Sequence, residues 1–148
     1  EVLDLIDGRI LLNIELKGTQ TALITNQLLQ RYFEETKWSP DKIIISSFNW
    51  EELEIFYQAN SNVPIAILTE DDPLDAIAIG KKLNAIAINP DYKSLDKNNI
   101  EKIKKAGFKI YPWTVNTHEN IINLIDLSID GIITDYPERV LNLWKTSL

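Results

Sequence analysis

Residues 12–18 read Leu-Asn-Ile-Glu-Leu-Lys-Gly. Side chains alternate between the faces of a strand, so Leu12, Ile14 and Leu16 share one face and Asn13, Glu15 and Lys17 the other. A carboxylate and an amine on a buried face must be paired or metal-bound. Two readings stand: a Glu15–Lys17 ion pair that only satisfies the core, or a site in which the carboxylate holds a cation and the amine meets an anionic group. The position near the C-terminal end of a strand is where barrel enzymes place their chemistry.

Other strand ends carry further candidates. Ser46, Ser47 and Asn49 read as cap residues, and Phe48 between them as a pocket wall. In Tyr111-Pro112-Trp113-Thr114-Val115-Asn116, Trp113 is either core or a surface for a substrate's carbon chain, with Asn116 offering hydrogen bonds. Thr134 and Asp135 end another run, where Asp135 orders a loop or does chemistry. His118 is the only histidine and falls in an expected first helical turn. With no cysteine and no nearby acidic cluster it makes a poor metal site, and it has no evident serine partner for a triad.

The elements that must position these residues alternate short apolar runs with amphipathic stretches. The runs predict strands at residues 10–16, 42–48, 63–68, 84–88, 108–115 and 131–135. Helices are expected at 21–36, with Leu28, Leu29, Tyr32 and Phe33 at helical spacing, and at 50–59, with Asn49 as cap and Glu52 completing a capping box. Further helices are expected from Asp72-Pro73 to about Leu83, from Asp96 to Gly107, at 117–127 and at 137–145. Continuous apolar strands are covered on both faces, as in parallel sheets. Six β-then-α units fit either a doubly wound open sheet or part of an eight-unit barrel. Only five glycines occur and none forms a dinucleotide or P-loop motif.

The 148 residues suggest one domain over 1–148. The 15 basic and 22 acidic side chains give a net charge of -7, which disfavours nucleic acid as a partner. Phosphate chemistry would then need a local lysine or metal. No apolar run approaches the roughly 20 residues of a membrane span, and no signal peptide is visible. A soluble protein is expected, with cytoplasm and periplasm both open. The chain starts Glu1-Val2-Leu3 and contains no methionine, so the natural N-terminus is expected to lie elsewhere.

Five segments taken in order resemble one family. Asn13-Ile14-Glu15-Leu16-Lys17 is similar to the "NIEIK" strand of glycerophosphodiester phosphodiesterases. Ser46-Ser47-Phe48-Asn49 resembles their "SSF" strand end, and Ala87-Ile88-Asn89-Pro90 the following "N-P" end. Gly107-Phe108 through Asn116 resembles "GfkvypWTVN", and residues 130–137 resemble "DGIITDyP". The resemblance implies a TIM barrel that hydrolyses glycerophosphodiesters to an alcohol and glycerol 3-phosphate, with roles in lipid and glycerol metabolism. It implies two catalytic histidines and a divalent cation, Mg²⁺ or Ca²⁺. On this resemblance Glu15 matches a metal ligand and Lys17 the lysine beside the phosphate. Phe48 and Trp113 match pocket positions, and Asn116 joins them as a substrate-binding candidate.

The departure is that the family's "HRG", "ElDv" and "HD" motifs precede the "NIEIK" strand. Only fourteen residues precede Glu15 here, and none of these motifs is among them. The chain is therefore expected to hold the third to eighth strands of an incomplete barrel, with one metal ligand and open sheet edges prone to self-association. Glu15, Lys17, Phe48 and Trp113 are expected to face one cavity. The leading reading is a piece of a working phosphodiesterase, inactive alone. The rival is a non-catalytic relative serving as a binding or assembly module. A phospholipase-C-type barrel is disfavoured by the joint "NIEIK" and "WTVN" matches.

Overall fold

Isoleucine-rich runs form the strands and capped amphipathic stretches the helices of this computed structural model, which describes residues 1–146. The order is α1 (Val2–Ile6), β1 (Leu12–Glu15), α2 (Thr21–Glu35), β2 (Ile43–Ser47), α3 (Trp50–Ala59), β3 (Ile65–Thr69), α4 (Ala76–Lys82), β4 (Ala87–Pro90), α5 (Lys97–Lys105), β5 (Lys109–Ile110), α6 (His118–Asp126) and α7 (Pro137–Thr146). The strands follow the order β1-β2-β3-β4-β5, and the described pairings are parallel. The chain folds as two compact units, one of residues 1–67 and 79–86 and one of 68–78 and 87–148. Residues 147–148 lie outside the described residues.

In the first unit β1 pairs with β2, setting Ile14 opposite Ile45 and Glu15 opposite Ser46. Every residue of β2 is buried, as both-face coverage requires. Helices α2 and α3 pack together, with Leu29, Leu53 and Phe56 fully buried. The buried stripe of α2 runs through Ala22, Asn26 and Leu29, whereas Leu28 is exposed. The expected stripe is corrected because Asn26 can be buried: its Oδ1 accepts from Asn60 Nδ2 at 3.1 Å. The short α1 was not expected. Its Leu3 carbonyl accepts from Trp38 Nε1 at 3.0 Å, which anchors it to the chain before β2.

In the second unit β4 pairs with β5, and Asp91 N donates to Thr69 O at 3.0 Å. Asp96 and Asn99 form the reciprocal capping box of α5, and Thr117 caps α6 through Asn120 N. The strand expected over 108–115 is regular only at Lys109–Ile110, with one further parallel bridge between Asp91 and Trp113. Pro112 has no N–H to continue the ladder.

Three further expectations need correction. Residues 131–135 form no regular strand. Asp130 N and Ile133 N donate to Ile110 O and Pro112 O, but the Asp130 carboxylate takes the Ile110 N–H at 3.0 Å. A side chain thus replaces a ladder carbonyl. Gly131 permits this close passage, since a Cβ there would lie 2.9 Å from the Tyr111 ring. The helix expected from Pro73 begins only at Ala76, because Asp72 Oδ1 accepts from Leu74 N at 2.9 Å and closes a turn first.

The third correction concerns Glu52. Asn49 does cap α3, accepting from Glu51 N and Glu52 N. But the Asn49 N–H donates to Ser47 Oγ at 2.9 Å, leaving Glu52 no partner for a capping box. Glu52 instead accepts from Gln20 N at 2.5 Å and Ala22 N at 2.8 Å. It caps α2 from another helix, with only 4% of its surface exposed. Burial raises the pKa of its carboxyl, but the N–H bonds from Ala22 and Gln20 outweigh burial, and the net shift is downward.

The unfolded chain therefore takes up this proton more readily than the folded one. The stability that Glu52 contributes is present above the ordinary glutamate range and is lost as pH falls through the lower folded value. Glu52→Gln should cost about 2 kcal/mol at pH 7, the scale of hydrogen bonds to a charged group. In urea unfolding the gap between wild type and variant should narrow below about pH 4. A gap independent of pH would refute the assignment.

Candidate functional site

Glu15 is the last residue of β1, and Lys17 stands two residues on, at the start of the loop into α2. Their charged groups lie 3.5 Å apart, with the Lys17 side chain 79% exposed. Such an exposed pair contributes at most about 1 kcal/mol, so structural economy does not explain it. The lysine is available to a ligand. Glu15, Leu16, Lys17, Phe48 and Asn49 line one cleft of about 490 Å³, within the range of small-molecule sites. Phe48 is 41% exposed at its rim.

Side chains from the β2–α3 turn hold this cleft. Ser47 Oγ donates to Leu16 O at 2.5 Å and accepts from Asn49 N. Glu52 then holds residues 20–22, and Thr21 Oγ1 donates to Gly18 O at 2.9 Å. Ser46, opposite Glu15 in the register, has a buried hydroxyl with no hydrogen-bond partner among the described residues.

Trp113 and Asn116 belong to the second unit. Trp113 Nε1 donates to Asn89 O at 2.8 Å, which fixes the ring while leaving it half-buried. The Asn116 side chain joins two loops. Its Nδ2 donates to Asp135 Oδ2 at 2.8 Å, and its Oδ1 accepts from Thr134 Oγ1 at 3.1 Å and Asp135 N at 3.0 Å. Arg139 donates to the Asn116 carbonyl at 2.5 Å and stacks on Tyr136 at 3.8 Å. An amide has two acceptor and two donor positions, so one N–H of Asn116 has no partner among the described residues. His118 is exposed at the first position of α6.

The described residues contain no group of three His, Cys, Asp or Glu side chains able to hold a metal. A hard cation takes six or more oxygens, and Glu15 supplies one carboxylate, so the described residues do not complete such a site. No described helix is long and apolar enough to cross a membrane. Ser47 and Glu52 were not singled out as site residues from sequence. The signal for Ser47 lay in its own motif, whereas Glu52 acts on a helix 30 residues away and carried no local signal.

The model of the glycerophosphoryl diester phosphodiesterase family matches residues 10–139. A glycerophosphodiester phosphodiesterase of Caldanaerobacter subterraneus is 33% identical over 97% of this chain and 59% of its own length. One from Bacillus subtilis is 33% identical over 67% of this chain and 35% of its own. Among solved structures, a putative glycerophosphoryl diester phosphodiesterase from Silicibacter pomeroyi superposes with TM-score 0.82 at 22% identity, covering 99% of this chain and 56% of that one. An Oleispira antarctica phosphodiesterase in complex with the product sn-glycerol-3-phosphate gives 0.77 at 21%, covering 89% and 54%. These likenesses show an α/β fold of the TIM-barrel type. The chain spans less than two thirds of the length of these relatives.

Asn116→Ala removes one donor and two accepting bonds from a partly exposed junction. It should destabilise the fold by about 1–3 kcal/mol, read as a lower urea midpoint. An unchanged midpoint would show that the junction does not hold residues 133–136.

Proposed function

This chain belongs to the glycerophosphoryl diester phosphodiesterase family, and from that premise we propose that the protein carrying it hydrolyses glycerophosphodiesters to an alcohol and glycerol 3-phosphate. The observation that carries this reading is the Glu15–Lys17 pair at the end of β1, exposed in a cleft with Phe48. The solved relative with sn-glycerol-3-phosphate supports a small phosphate ester as substrate.

In the proposed mechanism Lys17 binds and orients the phosphodiester through its ammonium group. The net charge of -7 makes such a local cation necessary for anion capture. Phe48 offers an apolar wall to the same cleft. Glu15 would serve as one carboxylate ligand of a divalent cation, Mg²⁺ or Ca²⁺. Such a cation neutralises charge at phosphoryl oxygens.

Hydrolysis also requires a proton for the leaving alcohol. The only imidazole of the chain is the exposed His118, which has the environment of a solvated helix-start residue. The proposal is therefore that this chain alone is inactive and works within a longer protein. The exposed His118 is also what a non-catalytic binding module would show, and activity decides between the two. The outer edge of β1 bonds to no strand among the described residues. We propose that the isolated chain self-associates there, and a stable monomer in light scattering would refute this.

The test is hydrolysis of glycerophosphocholine with Mg²⁺ or Ca²⁺ by this chain and by a form extended upstream. Turnover is expected only from the extended form. There Lys17→Ala should lower kcat by about 10²-fold, the scale of one lost electrostatic contact. Glu15→Gln should weaken metal binding and nearly abolish turnover. Comparable turnover by the short chain would overturn the mechanism, and an inactive extended form would favour the binding module.

A further inference from the structure

We propose that Glu52, together with Ser47, is a positioning residue that clamps the loop carrying Lys17 onto the turn carrying Phe48. The chemical consequence rests on the proposed phosphodiesterase reading; the clamp itself rests on geometry. Residues 16–20 connect β1 to α2, and Lys17 extends from them into solvent. Two buried side chains hold this connection at both ends. Ser47, fully buried, donates to the Leu16 carbonyl and accepts the Asn49 N–H. Glu52 takes the N–H groups of Gln20 and Ala22. Both clamping residues flank Phe48 in sequence, so one rigid segment fixes both walls of the cleft.

The clamp also decides what the N-terminus of α2 does. A helix N-terminus is a ready anion site. Here the Glu52 carboxylate fills it, so the substrate's phosphate is left to Lys17 and the groups around it. The carboxylate completes the helix internally and leaves the lysine as the local attraction for an anion. A merely structural cap would serve as well on any helix; this one is bonded to Gln20 and Ala22, three and five residues beyond Lys17.

The experiment compares Glu52→Gln, Ser47→Ala, Ser47→Thr and a core control, Ile103→Val, in the full-length protein. Gln presents a donor as well as an acceptor where two backbone donors converge, so it should disrupt the clamp without changing shape. In Glu52→Gln and Ser47→Ala, amide exchange over residues 16–22 should quicken by about 10–100-fold, as expected for lost charge-assisted bonds in a local opening. Glycerophosphocholine turnover should fall by about 10–100-fold, mainly in kcat, the consequence of misplacing a contact by about an ångström. Ser47→Thr, which keeps the hydroxyl, should restore both readouts towards wild type.

The proposal is overturned if Glu52→Gln and Ser47→Ala lower Tm as Ile103→Val does while exchange at 16–22 and kcat stay at wild-type values. If the unaltered full-length protein hydrolyses no glycerophosphodiester, the functional reading fails and the exchange arm alone decides. Faster exchange confined to residues 16–22, with a shifted NMR signal from the Lys17 ε-methylene, upholds the clamp. An unchanged loop removes it.

Discussion

A buried carboxylate cannot be left without partners. Glu52 lies in the first unit almost wholly removed from water, where an unpaired ion would cost several kcal/mol. It is tolerated because two backbone N–H groups at the start of α2 face the same cost: a helix N-terminus leaves its first N–H groups unsatisfied. Each problem solves the other, and the solution fixes α2 against α3. Because α2 begins six residues after β1 ends, the same contact limits where the end of β1 and Lys17 can lie. Ser47 makes the arrangement possible by taking the Asn49 N–H that Glu52 would otherwise cap.

The second unit joins its segments through an amide side chain. Proline and an intruding carboxylate interrupt the ladder between residues 108–115 and 130–135, although backbone bonds from Asp130 N, Ile133 N and Val115 N still join the two segments. Asn116 adds a side-chain connection by presenting an amide to Asp135 and Thr134. Three of its four hydrogen-bonding positions are used there, which bounds what it can offer a substrate. Trp113 is bounded in a similar way, since its N–H is committed to Asn89 O.

Much of the site was legible from residue parity and strand position. Glu15 and Lys17 are two apart on a strand end, and the apolar run Ile43–Ile45 placed Phe48 just beyond the next strand; both follow from the two-residue period. The local caps Asn49, Asp96 and Thr117 were legible for the same kind of reason, because a cap acts within three residues. The apolar runs and the helix cap signals also placed the β/α alternation and the family resemblance.

What remained illegible has its partners far along the chain. Glu52 and Gln20 are 32 residues apart, Ser47 and Leu16 are 31 apart, and Asn116 and Asp135 are 19 apart. A Glu three residues after an Asn predicts a capping box, and it fails here only because a nearby serine competes for one N–H. Residues 131–135 carry a strand pattern and lose the strand because the Asp130 side chain outcompetes a carbonyl for Ile110 N–H. Periodicity and local propensity act over a turn or a pair of residues, so by itself the sequence determined where elements lie and which residues end them. Which donor meets which acceptor depends on the packing of segments distant in the chain, and only the tertiary structure decided that.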